Sequence, residues 1–310
     1  MEPKETKRYR TLRSFFEERY PFPIRTVFVD AGTSLPRRGG QSQAGSCLYC
    51  YSRGTSGAPQ GPPGTVVEQI NQGLARLRRR QPSVCAIVSL PPASGANAPL
   101  DALKRLYGET LEIEGVVGVA VGMRPECLTE ESLRLLEGMA KTHEVWLEMG
   151  PQTVHDEQRA AVDQSHISEA WAEAVERAAG RGIHQVAHLI LGLPGEGMPE
   201  TLKTVEAVAS HPINGVMLHH LMVLNETELS DLWRRRHFTL VAAEVYIDLV
   251  VAILEHLPPE VVMHRLVSQP HPWERLLAPR WRQSAEEMLV AIDAEMVRRD
   301  TRQGARLSRR

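Results

Sequence analysis

Short β-branched runs and amphipathic helical patterns alternate along most of this chain, and that alternation limits the possible folds more than any other feature. The strand-like runs are Thr26–Asp30, Val84–Leu90, Val116–Val121, His143–Met149, Val186–Leu191 and Gly215–Leu221. They are almost continuously apolar, as strands buried on both faces are. Helical patterns lie between them. Thr65-Val66-Val67-Glu68 reads as a capping box opening a helix to about Arg79, and others run near Leu100–Leu106, Glu130–Lys141, Ile167–Gly180 and Pro199–Ser210. The alternation predicts a parallel sheet with helices outside. Six such units predict an α/β fold, a partial (β/α)6 TIM-type barrel with its working loops at the C-terminal strand ends.

After about Leu224 the strand pattern stops. Leu240–His256 and Ser284–Arg299 read as helices, joined by a segment bearing Pro258-Pro259, His264-Arg265 and Trp273. The expected division is a barrel over 1–228 and a helical C-terminal extension with a basic tail over 229–310. A long loop, 31–64, follows the first strand and is rich in Gly, Pro, Ser and Arg. Loops of that length inside a compact unit are functional or disordered.

Composition narrows the function classes. Hydrophobic residues are 42% and charged residues 24%, ordinary globular values that exclude disorder as the main state. The net charge of −2 exerts no global pull on nucleic acid or anionic lipid. Only five of the 36 basic residues are lysine, and arginine clusters at Arg76, Arg78, Arg79 and Arg80 and again from Arg298 to Arg310. These read either as solvated helix ends or as a phosphate-contacting surface. The longest apolar run, Val186–Leu193, is broken by His188 and is too short to span a membrane, and the start Met1-Glu2-Pro3-Lys4-Glu5 is polar. A cytoplasmic protein with no membrane segment is expected.

Cys47-Leu48-Tyr49-Cys50 is a C-x-x-C pair within the long loop, which places two thiolates at the barrel mouth. Thiolates suit zinc, copper(I) or iron–sulfur, and a C-x-x-C also serves redox chemistry. No second pair follows at finger spacing. Cys85 reads as a small buried hydrophobe, and Cys127 sits in a loop at a strand's C-terminal end. His184 and His188 share one strand face and read as packing rather than ligation. His219 and His220 point to opposite faces of their strand.

Six segments, in order, resemble one family. They are Val29-Asp30-Ala31-Gly32, Gly45-Ser46-Cys47-Leu48-Tyr49-Cys50, Val121-Gly122-Met123-Arg124-Pro125-Glu126-Cys127, Glu144-Val145-Trp146-Leu147-Glu148-Met149-Gly150-Pro151-Gln152-Thr153, His188-Leu189-Ile190-Leu191-Gly192-Leu193-Pro194-Gly195-Glu196-Gly197 and His264-Arg265. They are similar to the YhcC-type group of radical S-adenosylmethionine (SAM) proteins, which itself resembles the radical SAM domain of the Elongator catalytic subunit. The resemblance runs from about Tyr9 to Met296. It implies a [4Fe–4S] cluster held by loop cysteines, here Cys47 and Cys50, with SAM chelating the open iron. An electron donor then drives SAM cleavage to a 5′-deoxyadenosyl radical that abstracts a substrate hydrogen. It also places Tyr49 near the adenine, Glu148 and Gln152 near the ribose and methionine moieties, and Gly192, Gly195 and Glu196 at the motif whose backbone lies near adenine. It links the group to tRNA modification, so tRNA is an expected partner.

The departures fall at the mouth. Leu35 stands at the position of the family's first cluster cysteine, and leucine cannot ligate iron. Pro91–Pro99 replaces a Tyr- and Thr-rich segment, Pro151 an aliphatic residue, and Gln164-Ser165-His166 an Arg-Gly-His. These changes leave two expectations open: a radical SAM enzyme, or a catalytically degenerate barrel used for binding or regulation.

Overall fold

The computed structural model describes residues 7–29, 64–90, 99–157, 168–225, 227–235, 238–270 and 275–307. The loop bearing Leu35, Cys47, Tyr49 and Cys50 lies outside these, as do Pro91–Ala98, Gln164-Ser165-His166 and Trp273.

The chain opens with a short helix, α1 (Leu12–Glu17), and strand β1 (Ile24–Phe28). Helix α2 (Val66–Arg78) follows, and the expected capping box is present: Thr65 Oγ1 accepts from the Glu68 amide, and Glu68 Oε2 accepts from the Thr65 amide at 2.7 Å. Then come β2 (Cys85–Leu90), α3 (Leu100–Leu111), β3 (Val116–Gly122), α4 (Glu130–Ala140), β4 (Glu144–Gln152), α5 (Ser168–Ala178), β5 (His184–Leu191), α6 (Met198–Ala209) and β6 (Gly215–His220). The C-terminal part adds β7 (Val223–Leu224), α7 (Glu228–Arg234), α8 (Ala243–His256), β8 (Val262–Arg265), β9 (Leu276–Ala278) and α9 (Ala285–Arg298). Among the described residues, no helix is long and apolar enough to cross a membrane.

The main sheet has seven strands in the order β1-β2-β3-β4-β5-β6-β8, all parallel. Adjacent strands pair in sequence order, so every crossover runs through a helix on the outer face, and the sheet curls into a partial barrel. The six expected strands are present. The expectation that strand structure ends after Leu224 is corrected, because β8 adds a seventh barrel strand and β7 pairs with β9 in a small antiparallel sheet. These strands are two to four residues long, too short for a period to stand out.

Alternate strand residues point outward into the main core, for example Ala86, Val88, Val119, Val121, Val145, Leu147, Ala187, Leu189, Val216 and Leu218. The inward set forms a second cluster of Ile24, Ile87, Ala120, Trp146, Val186 and Val262, closed from below by Phe15 and Phe16 of α1. Thr11 caps α1 in a box with Ser14, and the Met263 amide donates to Arg10 O at 2.8 Å, so the N-terminal segment covers the free edge of β8.

The chain's end secures that segment. The buried Gln303 donates from Nε2 to Pro258 O at 2.6 Å and to Val261 O at 2.8 Å, and its Oε1 accepts from the Arg10 amide at 2.9 Å. Gln303→Ala removes three bonds and strands buried backbone groups, so it is expected to cost about 2–4 kcal/mol. Urea denaturation checks this, and a cost below about 1 kcal/mol contradicts it.

Candidate functional site

The inward face of the sheet changes character from bottom to top. Its floor is aromatic. Trp146 is 1% exposed and stacks on His184 with ring centroids 4.4 Å apart, while Phe15 at 5.1 Å and His264 at 4.6 Å meet it edge-on. His184 Nε2 also lies 3.2 Å from Glu144 Oε2, and the Tyr20 hydroxyl donates to Glu144 Oε1 at 3.0 Å. Burial raises the Glu144 pKa, and His184 and Tyr20 outweigh it, holding the carboxyl below the usual range. His184 is therefore held by packing and by Glu144, as the packing reading expects.

Above the floor the lumen opens into a cavity of about 670 Å³. Its polar lining includes Ser89 of β2, Glu148 of β4, His188 of β5, His219 of β6 and Arg265 of β8. Each projects inward because strand side chains alternate. Register places Glu148 beside Gly122, the last residue of β3, so it stands at the upper half of the lumen. A register shift between Val216 and Met217 of β6, opposite β8, interrupts the pairing at His264, with Met263 opposite Val216 and Arg265 opposite Met217. A bulge of this kind lets consecutive residues face the same side, and both His264 and Arg265 line the cavity.

The polar groups form a chain. Glu148 Oε2 lies 3.6 Å from His188 Nε2, His188 Nδ1 lies 3.2 Å from His219 Nε2, and His219 Nδ1 lies 3.0 Å from Ser268 Oγ. The two imidazoles stack at 5.1 Å. Which ring nitrogens donate along this chain depends on the imidazole tautomers; Glu148 and His188 meet as a charge contact, and His188 Nε2 makes no hydrogen bond among the described residues. Burial pushes the Glu148 carboxyl up, but the facing His188 and the nearby His264 and Arg265 outweigh it and hold it below the ordinary range. Burial first, then His188 and Arg265, keeps His219 well below the ordinary histidine pKa. Burial lowers His264 to about 4, partly opposed by Glu148.

The rim is set by β4 and β5. Gln152 ends β4 at φ +60°, next to a register irregularity between Met149 and Gln152. A Cβ at Gly150 would lie 2.1 Å from Gln152 Nε2, so any side chain there would displace the Gln152 amide. After β5, Gly192 (φ +80°) and Gly195 (φ +83°) turn the chain, and a Cβ on Gly192 would meet Val241 at 2.5 Å. Glu196 faces β4: its Oε1 accepts from the buried Thr153 hydroxyl at 2.5 Å, tying the two rim loops together. Burial raises the Glu196 carboxyl pKa, against the opposing effect of Thr153.

The structure thus brings Glu148 into the lumen and places Gln152, Gly192, Gly195 and Glu196 on the rim. Tyr49, Cys47 and Cys50 lie outside the described residues, and nothing is placed for them. Among the described residues, no group of three or more His, Cys, Asp or Glu is arranged to hold a metal ion. Cys85 packs against the lumen cluster and Cys127 against the outer core. His220 points out of the barrel onto Trp281 at 4.4 Å and Tyr246 at 5.6 Å. Much of the C-terminal arginine cluster is paired: Arg298 and Arg299 with Glu295, Arg299 also with Asp248, and Arg306 with the buried Glu255. Sequence reasoning did not anticipate the contacts of Ser268 and Trp146. Trp146 was visible only as one residue of the fourth resembling segment, and Ser268 lies outside all six.

Two family models match the chain, the Radical SAM superfamily over residues 44–208 and the Radical_SAM C-terminal domain over residues 213–298. The protein YtqA of Bacillus subtilis is 27% identical over 298 residues, covering 96% of this chain and 92% of that protein. Protein YhcC of Escherichia coli is 28% identical over 277 residues, covering 89% of this chain and 88% of that protein. The archaeal Methanocaldococcus infernus Elp3 structure superposes with a TM-score of 0.63 at 16% identity, over 76% of this chain and 60% of that one. At that identity the likeness shows the fold.

Proposed function

The chain belongs to the radical SAM superfamily, and from that premise we propose that it binds SAM at the rim formed by β4 and β5 and acts on a substrate held in the lumen. The observation that carries this reading is the division of the barrel interior. The floor is aromatic and closed by α1, while Glu148, His188, His219 and Arg265 gather toward the C-terminal strand ends. The residues present fit SAM in kind. Gln152 and Glu148 supply hydrogen-bonding groups for hydroxyl and amino functions, and the Gly192–Gly195 turn supplies a rim of exposed backbone. For the cluster, Cys47 and Cys50 would supply two thiolates; Leu35 supplies none, so a third ligand has to come from elsewhere in the chain or from outside it. Together the cluster and SAM supply a one-electron route to hydrogen abstraction. The protein's own residues close the lumen from below, place His188 against the Glu148 carboxylate, and keep His219 neutral.

Leu35 favours a second reading, a barrel that keeps the fold and has lost cluster chemistry, serving in binding or regulation. Anaerobic iron–sulfur reconstitution of the wild type beside Leu35→Cys separates the two. About four irons per chain and a reduced-state paramagnetic signal that shifts with SAM are expected of the wild type. If only Leu35→Cys behaves so, the second reading holds. The macromolecular partner we carry forward is tRNA, on the likeness to Elongator proteins. Binding that falls steeply with salt is expected, and negligible affinity at low salt removes it.

A further inference from the structure

Arg265 brings a positive charge into the lumen. Glu148 faces His188, whereas the Arg265 guanidinium, turned inward by the β8 bulge, makes no hydrogen bond or ion pair with any described residue. A guanidinium offers five donors in a planar fork. Leaving such a group partly buried and unmatched is unfavourable, and a fold tolerates it where an outside acceptor completes the pair. Burial disfavours the Arg265 charge, against the opposing effects of Glu148 and Tyr246.

The surroundings narrow what that acceptor is. The cavity of about 670 Å³ is of the size that encloses a small molecule. Its walls are largely apolar, with Phe16, Phe28, Ile87, Ala120, Trp146 and Met217 around the polar groups. Phe28 is 64% exposed, an aromatic face available to a ligand. Glu148 adds a fixed negative charge to the same space, so a dianion is repelled more than a monoanion. A planar two-oxygen anion matches the fork. We propose that the lumen binds a small organic monocarboxylate, its carboxylate paired with Arg265 and its apolar body against the aromatic wall.

This rests on the preceding reading only in taking the lumen as the substrate site. Carboxylate binding itself needs neither cluster nor SAM. The test is calorimetry on the full chain, without reconstitution, using butyrate, inorganic phosphate and 1-butanol as probes. Saturable one-site binding of butyrate is expected, with phosphate weaker and butanol showing none. Arg265→Gln is expected to weaken butyrate at least about tenfold. Arg265→Lys keeps the charge, loses the fork, and is expected to fall between. Absence of saturable butyrate binding, or binding unchanged in Arg265→Gln, overturns the proposal. Phosphate binding tighter than butyrate overturns the carboxylate class, and equal binding in Arg265→Lys overturns the bidentate pairing. If SAM displaces butyrate competitively, the carboxylate held is the cofactor's own and the substrate assignment falls. If reconstitution fails while butyrate still binds through Arg265, the lumen site stands and the radical SAM reading alone is lost.

Discussion

Acidification is expected to destabilise this protein by about 4 kcal/mol per pH unit between roughly pH 6 and pH 5, because unfolding there takes up about three protons. The groups are His219, His220 and His264, all buried as neutral imidazoles. Burial lowers His220 and His264 to about 4 and holds His219 well below its ordinary value. His219 faces His188, Arg265 and Ser268. His220 faces the rings of Tyr246 and Trp281. His264 faces Trp146, with Glu148, His184, His188 and Arg265 near. The sign follows from the depressed folded-state values. Above about pH 6.5 neither state binds these protons and their full contribution is present. As pH falls below that value the unfolded chain binds protons that the folded chain does not, and stability is lost until the folded-state values are reached. His220 and His264 each account for roughly 3 kcal/mol by pH 4. Glu148, held below the ordinary carboxylate range, adds a further loss beneath about pH 4.3. Urea midpoints recorded from about pH 7.5 to about pH 4.5 give the slope. His220→Phe, which fits the Tyr246–Trp281 cluster, is expected to reduce that slope by about a third. A flat profile between about pH 7 and pH 5 contradicts the assignment.

Trp146→Ala is expected to cost about 3–5 kcal/mol, a large fraction of the stability of a single domain. The indole is 1% exposed and is the point where α1, β5 and β8 meet, through Phe15, His184 and His264. Its removal leaves a cavity in the lumen floor that α1, fixed by the Thr11 cap and the Arg10–Met263 bond, cannot collapse to fill. Trp146 Nε1 has no hydrogen-bond partner among the described residues. Trp146→Phe therefore keeps an aromatic body while removing an unmatched donor, and less than about half the alanine cost is expected. A double-mutant cycle with Phe15→Ala should return a coupling of about 0.5–1.5 kcal/mol. Additivity would mean that α1 does not close the floor through this indole.

The periodic part of the fold was legible in the chain itself. Helix α4 was expected over Glu130–Lys141 and occupies Glu130–Ala140. The Thr65 and Ser284 ends of α2 and α9 are capped as their residue types predict. Such features arise within a few residues, where capping oxygens and apolar spacing act. Helix α1 is six residues long and β8 four, and neither carries enough of a period to be recognised, although together they close the floor and the free edge of the sheet.

The site was legible only as a set of positions. Glu148, His188 and His219 were each visible as strand residues, while Arg265 was visible only as part of the His264-Arg265 pair between two helices; alternation already sends His184 and His188 to one face and His219 and His220 to opposite faces. Their meeting depends on the curl and shear of the sheet. The 3.2 Å approach of His188 to His219 joins residues 31 apart, and Ser268 reaches His219 across 49. Whether Arg265 faces the lumen depends on a one-residue shift opposite Met217. By itself the sequence determined which segments become strands and helices, their order, and the family they build, because those follow from local hydrogen bonding and from which face is apolar. Only the tertiary structure decided that a carboxylate, two imidazoles and a guanidinium share one lumen. That arrangement comes from strand register and curvature, which are set by packing between residues far apart in the chain.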